Sequence, residues 1–183
     1  EQNKKTSQST LHTENIPIGP VLVIGACNFP IAISVVGTDT ISALAVGCPV
    51  IVKAHPGHPK TCQFLAAIVL IAGKKSQIPK DTFQLSHGEK YEVTQKRVVH
   101  PDISCVAFTG SLAGGKALSE IVFNRKIPIP FHAEMGSINP IVALPGKISE
   151  NHNKLAVDYV QAVNLFSGQM CTKPGVIFLL KSK

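Results

Sequence analysis

Tryptophan is absent from this 183-residue chain, and aromatic residues make up 5 % of it. Acidic residues are also scarce, 11 against 18 lysines and arginines, for a formal net charge of +7. A nucleic-acid surface would gather such cations on one element with aromatics between them. Here they fall in scattered pairs, Lys4-Lys5, Lys74-Lys75, Lys96-Arg97 and Arg125-Lys126. That distribution describes a solvated basic exterior, which would also suit an anionic cofactor. Long hydrophobic runs are missing too. No apolar stretch reaches the ~20 residues of a membrane helix, and the polar opening EQNKKTSQSTLHTEN shows no signal peptide. Neither nucleic acid nor membrane is therefore expected as a partner. The five cysteines, Cys27, Cys48, Cys62, Cys105 and Cys171, have no CxxC spacing and an odd count. They argue for a reducing, cytoplasmic compartment and against a disulfide framework or a metal site. Cys48 and Cys105 stand in or beside apolar runs, so burial is expected for both.

What is present is an alternation. PVLVIGA (20–26) is a continuous apolar run bounded by glycine, the pattern of a strand buried on both faces. A helix is expected after it, with Pro30 in its first turn and Gly47 at its stop. PVIVKAH (49–55) is a second strand, and 59–75 a helix with Thr61 as a candidate cap and Gly-Lys-Lys at its end. DTFQLSHG, the amphipathic EKYEVTQKRVVHP, ISCVAFTGS and LAGGKALSEIVFNRK continue the series. Repeated strand-helix units predict an α/β fold with a parallel, Rossmann-like sheet and flanking helices. After Arg125 the pattern changes to two short apolar segments over 127–146. A helix follows with Leu155, Tyr159, Val163 and Phe166 on one face, and GVIFLL opens a new strand.

Several residues are candidates for chemistry. Gly110-Ser111 close a strand and Gly114-Gly115 open a helix in FTGSLAGG, a turn that lets backbone N–H groups approach a phosphate. A glycine-requiring tight turn explains it equally well. Asn28 follows the first strand at the carboxyl edge, where open α/β sheets bind ligands. Its amide suits an oxyanion, or it caps the helix expected at Pro30. Lys53 ends the second strand, placed for a phosphate or ribose, or facing solvent. Glu134 lies between apolar segments that could make it a base, or it pairs with Arg125 or Lys126. Cys171 sits in the loop FSGQMCTKPG. No histidine motif accompanies it, so a Cys–His hydrolase has no support.

In chain order NFP (28–30), VIVKAHP (50–56), FTGSLAGG (108–115), AEMGSINP (133–140) and GQMCTKPG (168–175) resemble the aldehyde dehydrogenase superfamily, over nearly all of residues 16–180. KAHP and AEMGSINP look most like the branch containing NADP-dependent aldehyde and 2,5-dioxovalerate (α-ketoglutarate semialdehyde) dehydrogenases. The resemblance implies NAD(P)-dependent oxidation of a small aldehyde to a carboxylic acid. Cys171 would be the nucleophile that forms the thiohemiacetal and thioester, Asn28 the oxyanion donor, and Glu134 the base that activates the hydrolytic water. For the cofactor it implies Lys53 at the adenosine ribose, Gly110 and Ser111 at the pyrophosphate turn, and Gly115 in the helix packed behind it. NAD-preferring members usually carry a glutamate three residues after the lysine. This chain has Pro56 there, so NADP is expected to be tolerated or preferred. Lys173, two residues past the nucleophile, is unusual and is expected to face solvent.

The resemblance divides the chain into a polar leader (1–15), a partial NAD(P)-binding domain (16–133) and the start of a catalytic domain (134–183). Family chains are much longer, so this stretch is expected to be a fragment with little activity of its own and a homo-oligomeric parent. The alternative is a non-catalytic truncated chain that binds a nucleotide or another protein.

Overall fold

The computed structural model describes residues 12–180, together with two short paired strands, β1 (Lys5–Thr6) and β2 (Ser9–Thr10). Of the predicted polar leader, residues 1–4, 7, 8 and 11 lie outside the described residues. The remaining elements are β3 (Val21–Ile24), α1 (Thr38–Ala45), β4 (Val50–Lys53), α2 (Pro59–Lys75), β5 (Phe83–Ser86), α3 (Tyr91–Val98), β6 (Cys105–Thr109), α4 (Leu112–Phe123), β7 (Phe131–Glu134), β8 (Pro140–Ala143), α5 (Pro145–Asn164) and β9 (Val176–Leu179).

Five strands form one parallel sheet in the order β5-β4-β3-β6-β7. The chain starts in the middle, winds outward through β4 and β5, then crosses back to β6 beside β3. The strand order therefore reverses between β3 and β6, and the crevice outside their carboxyl ends is where such sheets take ligands. β8 and β9 form a separate parallel pair.

Period-two alternation along the strands sorts the core into two layers. Val21, Val23, Val50, Val52, Cys105 and Ala107 point to one face and pack with Ala43 of α1 and Cys62 and Ala66 of α2. Leu22, Ile24, Val106 and Phe108 point to the other and pack with Val98 of α3 and Leu118 and Val122 of α4. Both faces are covered, which is why these strands read as continuous apolar runs. Leu22, Val52 and Val106 are fully buried, each contributing about 1.5–3 kcal/mol of apolar transfer. All five cysteines are free, with Cys48 and Cys105 buried. Burial, together with Cys48 and Asp39 nearby, pushes the Cys105 thiol up from its ordinary pKa.

Three local expectations need correction. No helix starts at Pro30. The Ile33 N–H bonds Phe29 O at 3.1 Å, a single turn, and α1 begins only at Thr38 after Gly37 in extended conformation. The β-branched pair Val35-Val36 and Gly37 are poor helix formers, and the turn instead folds back onto the end of β3. There a Cβ on Gly25 would lie 2.1 Å from the Ile33 carbonyl oxygen and 2.9 Å from Ser34 Cα. Backbone cannot yield as a flexible side chain can, so Gly25→Ala is expected to destabilise the protein by about 2 kcal/mol or more. Urea unfolding, with the midpoint falling at constant slope, measures it. The second correction is at α2, whose bounds match the sequence expectation, but whose N-cap is His58 with Pro59 at the first helical position; Thr61 lies inside the helix. α5 is interrupted at Asn151, whose side chain accepts from the Lys154 N–H at 2.8 Å and restarts the helix; it ends at Asn164, so Phe166 lies beyond it and does not share a helical face with Leu155, Tyr159 and Val163 as expected.

Candidate functional site

Parallel register brings the strand ends to one edge. Ile24 stands level with Lys53 and with Phe108, and Thr109 with Glu134. Lys53 on β4 and Glu134 on β7 are thus three strand spacings apart, about 14 Å across the sheet. A cavity of about 620 Å³ runs along this edge. Its wall includes Asn28, Lys53, Gly110, Ser111, Glu134 and Cys171, six of the seven residues singled out from the sequence. Gly115 is the exception. It is buried, and a Cβ there would lie 2.5 Å from Met135 Sδ and 3.2 Å from Phe108 Cε1. Its neighbour Gly114 lines the cavity instead. The absence of a side chain at Gly115 lets α4 sit close against the sheet, while Gly110, Ser111 and Gly114 face the opening.

Ser111 caps α4, its Oγ accepting from the Gly114 N–H at 3.1 Å. The hydroxyl proton stays free to donate, and the first N–H groups of α4 lack helical partners. A helix N-terminus with a hydroxyl beside it is suited to an anion. Lys53 does not face bulk solvent: it is 9 % exposed. Burial, and then the Arg97 guanidinium, push its ammonium below the usual lysine pKa, with Cys62 opposing. Among the described residues no carboxylate pairs with it, so a buried cation is left with its charge available to a ligand.

At the other end the cysteine loop is held from two sides. The Asn28 amide donates to the Gln169 carbonyl at 2.7 Å. With no helix at Pro30, Asn28 does not cap one; it ties the end of β3 to a loop 141 residues away. The amide carries two N–H groups, and the second is left for a ligand. Ser137 Oγ and Asn139 Nδ2 both donate to the Cys171 carbonyl at 2.5 Å, and Asn139 Nδ2 also reaches Lys173 O at 3.0 Å. Phe166, Ser167 and Gly168 all have left-handed backbones (φ 50°, 57° and 69°), which turn the chain from α5 into the loop. Cys171 is half-buried, and Lys173 is exposed, as expected.

Glu134 departs from its sequence picture. Its side chain is exposed rather than walled by apolar groups, because β7 is an edge strand. It pairs with neither Arg125 nor Lys126. Arg125 instead donates to the carbonyls of Val98, His100 and Ile103. Behind Glu134 stands Asp39 at the start of α1, in a second cavity that it shares with Glu134, Thr109 and His132. Burial raises the Asp39 pKa, the Glu134 charge adds to this, and His132 opposes it. Asp39, Ser137 and Asn139 are the site residues that sequence reasoning missed. The Asn-Pro step of GSINP is the one signal in the sequence that could have drawn attention; Asn139 there is left-handed (φ 49°).

The aldehyde dehydrogenase family profile matches residues 1–183. The chain is 44 % identical over 181 residues to an alpha-ketoglutaric semialdehyde dehydrogenase of Acinetobacter baylyi, covering 99 % of this chain and 34 % of that protein. It is 42 % identical over 173 residues to alpha-ketoglutaric semialdehyde dehydrogenase 2 of Azospirillum brasilense, covering 94 % and 33 %. The chain thus spans about a third of the length of these curated relatives. Among solved structures, a bifunctional proline utilization A protein superposes with a TM-score of 0.76 at 28 % identity, over 88 % of this chain and 16 % of that one. A mutant of aldehyde dehydrogenase C from Pseudomonas syringae, in complex with NAD+ and octanal, gives 0.75 at 25 % identity, over 90 % and 32 %. With the match running over the whole chain and the motif residues gathered on one sheet edge, this chain belongs to the aldehyde dehydrogenase family.

Proposed function

We propose that the chain carries the cofactor edge and nucleophile loop of an NAD(P)-dependent enzyme that oxidises an aldehyde to a carboxylic acid. The observation that carries this reading is the single cavity that joins Lys53 and the α4 N-terminus to Asn28, Cys171 and Glu134. Nicotinamide dinucleotide, when bound, supplies the hydride acceptor; Lys53 would hold its adenosine ribose, and Gly110 and Ser111 its pyrophosphate. The unpaired buried ammonium and the open helix terminus fit that group. Cys171 attacks the aldehyde carbon through its sulfur. The second N–H of Asn28 and the Cys171 backbone N–H hold the oxygen as it gains charge. After oxidation to the thioester, Glu134 takes a proton from the attacking water and the acid leaves Cys171. The exposure of Glu134 leaves room for that water.

The substrate proposed is a semialdehyde of an oxo-acid, on the strength of the two curated relatives and a basic chain suited to a carboxylate-bearing aldehyde. NADP is proposed to be accepted at least as well as NAD, because Pro56 puts no carboxylate beside the ribose. The division at residues 133 and 134, a cytoplasmic location and a homo-oligomeric parent complete the proposal. α5 buries none of its residues and exposes Val157 and Val160, a face that further protein would cover. No helix among the described residues is long and apolar enough to cross a membrane.

Calorimetric titration of the chain with NADP and NAD tests the cofactor half. Lys53→Ala removes one charge-assisted contact of about 1.5–3 kcal/mol, so a loss of about 10- to 100-fold in affinity for both nucleotides is expected. Equal affinity in wild type and variant would place the nucleotide elsewhere, and a strong NAD preference would sink the NADP expectation.

A further inference from the structure

Beside Lys53 the cavity wall carries His55, which stacks on His58 with ring centroids 5.3 Å apart and planes 17° from parallel. The Gly57 N–H donates to His55 Nδ1 at 3.0 Å. That fixes Nδ1 as an acceptor and leaves the proton of the neutral ring on Nε2. His58 joins the pair from the N-cap of α2; its Nδ1 lies 3.2 Å from Cys62 Sγ, and its Nε2 is buried with no partner. The one acidic residue in the cavity wall is Glu134, on the far side of β3 and β6.

We propose that the His55–His58 pair reads the 2′-position of the adenosine ribose, taking up one proton when a 2′-phosphate binds and none when a 2′-hydroxyl does. This rests on the cofactor reading above, which puts the adenosine ribose at Lys53, and goes beyond it by making NADP selectivity depend on pH.

The groups facing the pair explain the sign. Lys53 on β4 is the cation beside His55, and Arg97 on α3 acts on Lys53; Tyr91 on α3 and Cys27 after β3 line the same cavity, and Cys62 on α2 lies against His58. Burial, then His58 and then Lys53, push His55 below the usual histidine pKa. A proton added at Nδ1 also forfeits the Gly57 contact. Without nucleotide the charged form of His55 is therefore disfavoured. A 2′-phosphate brings a charge of about −1.5 to −2, which reverses the local field and favours an imidazolium within reach. A hydroxyl brings none. Two stacked imidazolium rings would repel, so the uptake stops at one proton. NADP then binds more tightly as pH falls from about 8 towards 6, where the phosphate begins to take its own proton.

The test is calorimetry of the 183-residue chain with NADP and NAD, at pH 8, 7 and 6, in phosphate-free buffers of differing ionisation heat. A shift of about one pKa unit on binding means a rise in NADP affinity on the order of tenfold across that range. The NADP heat should vary with buffer and the NAD heat should not. His55→Gln keeps an acceptor for the Gly57 N–H and an amide donor but cannot titrate; in it the NADP-to-NAD affinity ratio should no longer change with pH. A purely structural role would weaken both nucleotides alike and leave the pH dependence of that ratio intact. Circular dichroism checks folding, and His58→Asn, which retains a good N-cap residue, is read the same way should His55→Gln not fold. NADP binding that is flat with pH, or a pH dependence that persists in His55→Gln, overturns the proposal. Failure of both nucleotides to bind sinks the cofactor reading instead, and this inference with it.

Discussion

On the proposed function, Cys171→Ser made in the full-length parent protein is expected to abolish aldehyde-dependent reduction of NAD(P), a loss of about 10⁴-fold or more. Removing a covalent nucleophile has effects of that order, and a serine hydroxyl without an adjacent base is far less ionised than a thiol at neutral pH. Cys27 makes the experiment informative. It is exposed and lines the same cavity as Cys171, whereas Cys48, Cys62 and Cys105 are buried. Cys27→Ser should therefore retain activity. If Cys27→Ser abolishes turnover while Cys171→Ser keeps it, the nucleophile has been assigned to the wrong loop. Mass spectrometry after incubation with aldehyde and cofactor gives a second readout, with the acyl adduct expected on the peptide containing Cys171.

Glu134→Gln should separate the two halves of the reaction. Glutamine preserves the size of the side chain but cannot accept a proton from water. The first half, ending in hydride transfer, needs no base at Glu134, so a burst of reduced nicotinamide close to one per site is expected. The steady-state rate should then fall about 10²- to 10⁴-fold, the usual worth of a general base, and the thioester on Cys171 should accumulate. Loss of the burst itself would mean that Glu134 acts before hydride transfer. Asp39 is the necessary control, because the two carboxylates share a cavity and the Glu134 charge contributes to the raised Asp39 pKa. Asp39→Asn should leave deacylation within a small factor of wild type. A deficit equal to that of Glu134→Gln would move the base to Asp39.

The order of elements was legible because each strand is a short apolar run closed by a glycine or proline, and each helix carries its own stop. The end of α2 followed from Gly73-Lys74-Lys75, whereas its start signal was misread as Thr61 when His58 and Pro59 open the helix. The helix expected at Pro30 was misplaced because proline at a first turn is permissive, not directive. The turn there is set by Gly25 and Gly37, which pack against backbone that is near only after folding. Gly115 stands where it was expected, in the helix packed behind the turn; what the sequence did not show is that Met135 and Phe108, both outside its own turn, are the side chains that leave no room for a Cβ.

By itself the sequence determined the parallel α/β architecture and the residues able to do this chemistry, since strand periodicity and motif order are local properties of the chain. It left each candidate with an ordinary alternative. Only the tertiary structure decided among these. The sheet order carried Lys53 and Glu134 to one edge, where the lysine is buried without an acidic partner and the glutamate stays exposed. A hydrogen bond spanning 141 residues turned Asn28 from a helix cap into an anchor for the cysteine loop. Ser137 and Asn139 became ligands of the Cys171 carbonyl in the same way. The physical reason is that a side chain's charge, hydrogen bonding and solvent exposure depend on neighbours distant in sequence, and those neighbours arrive only when the sheet closes and the loops pack across its edge.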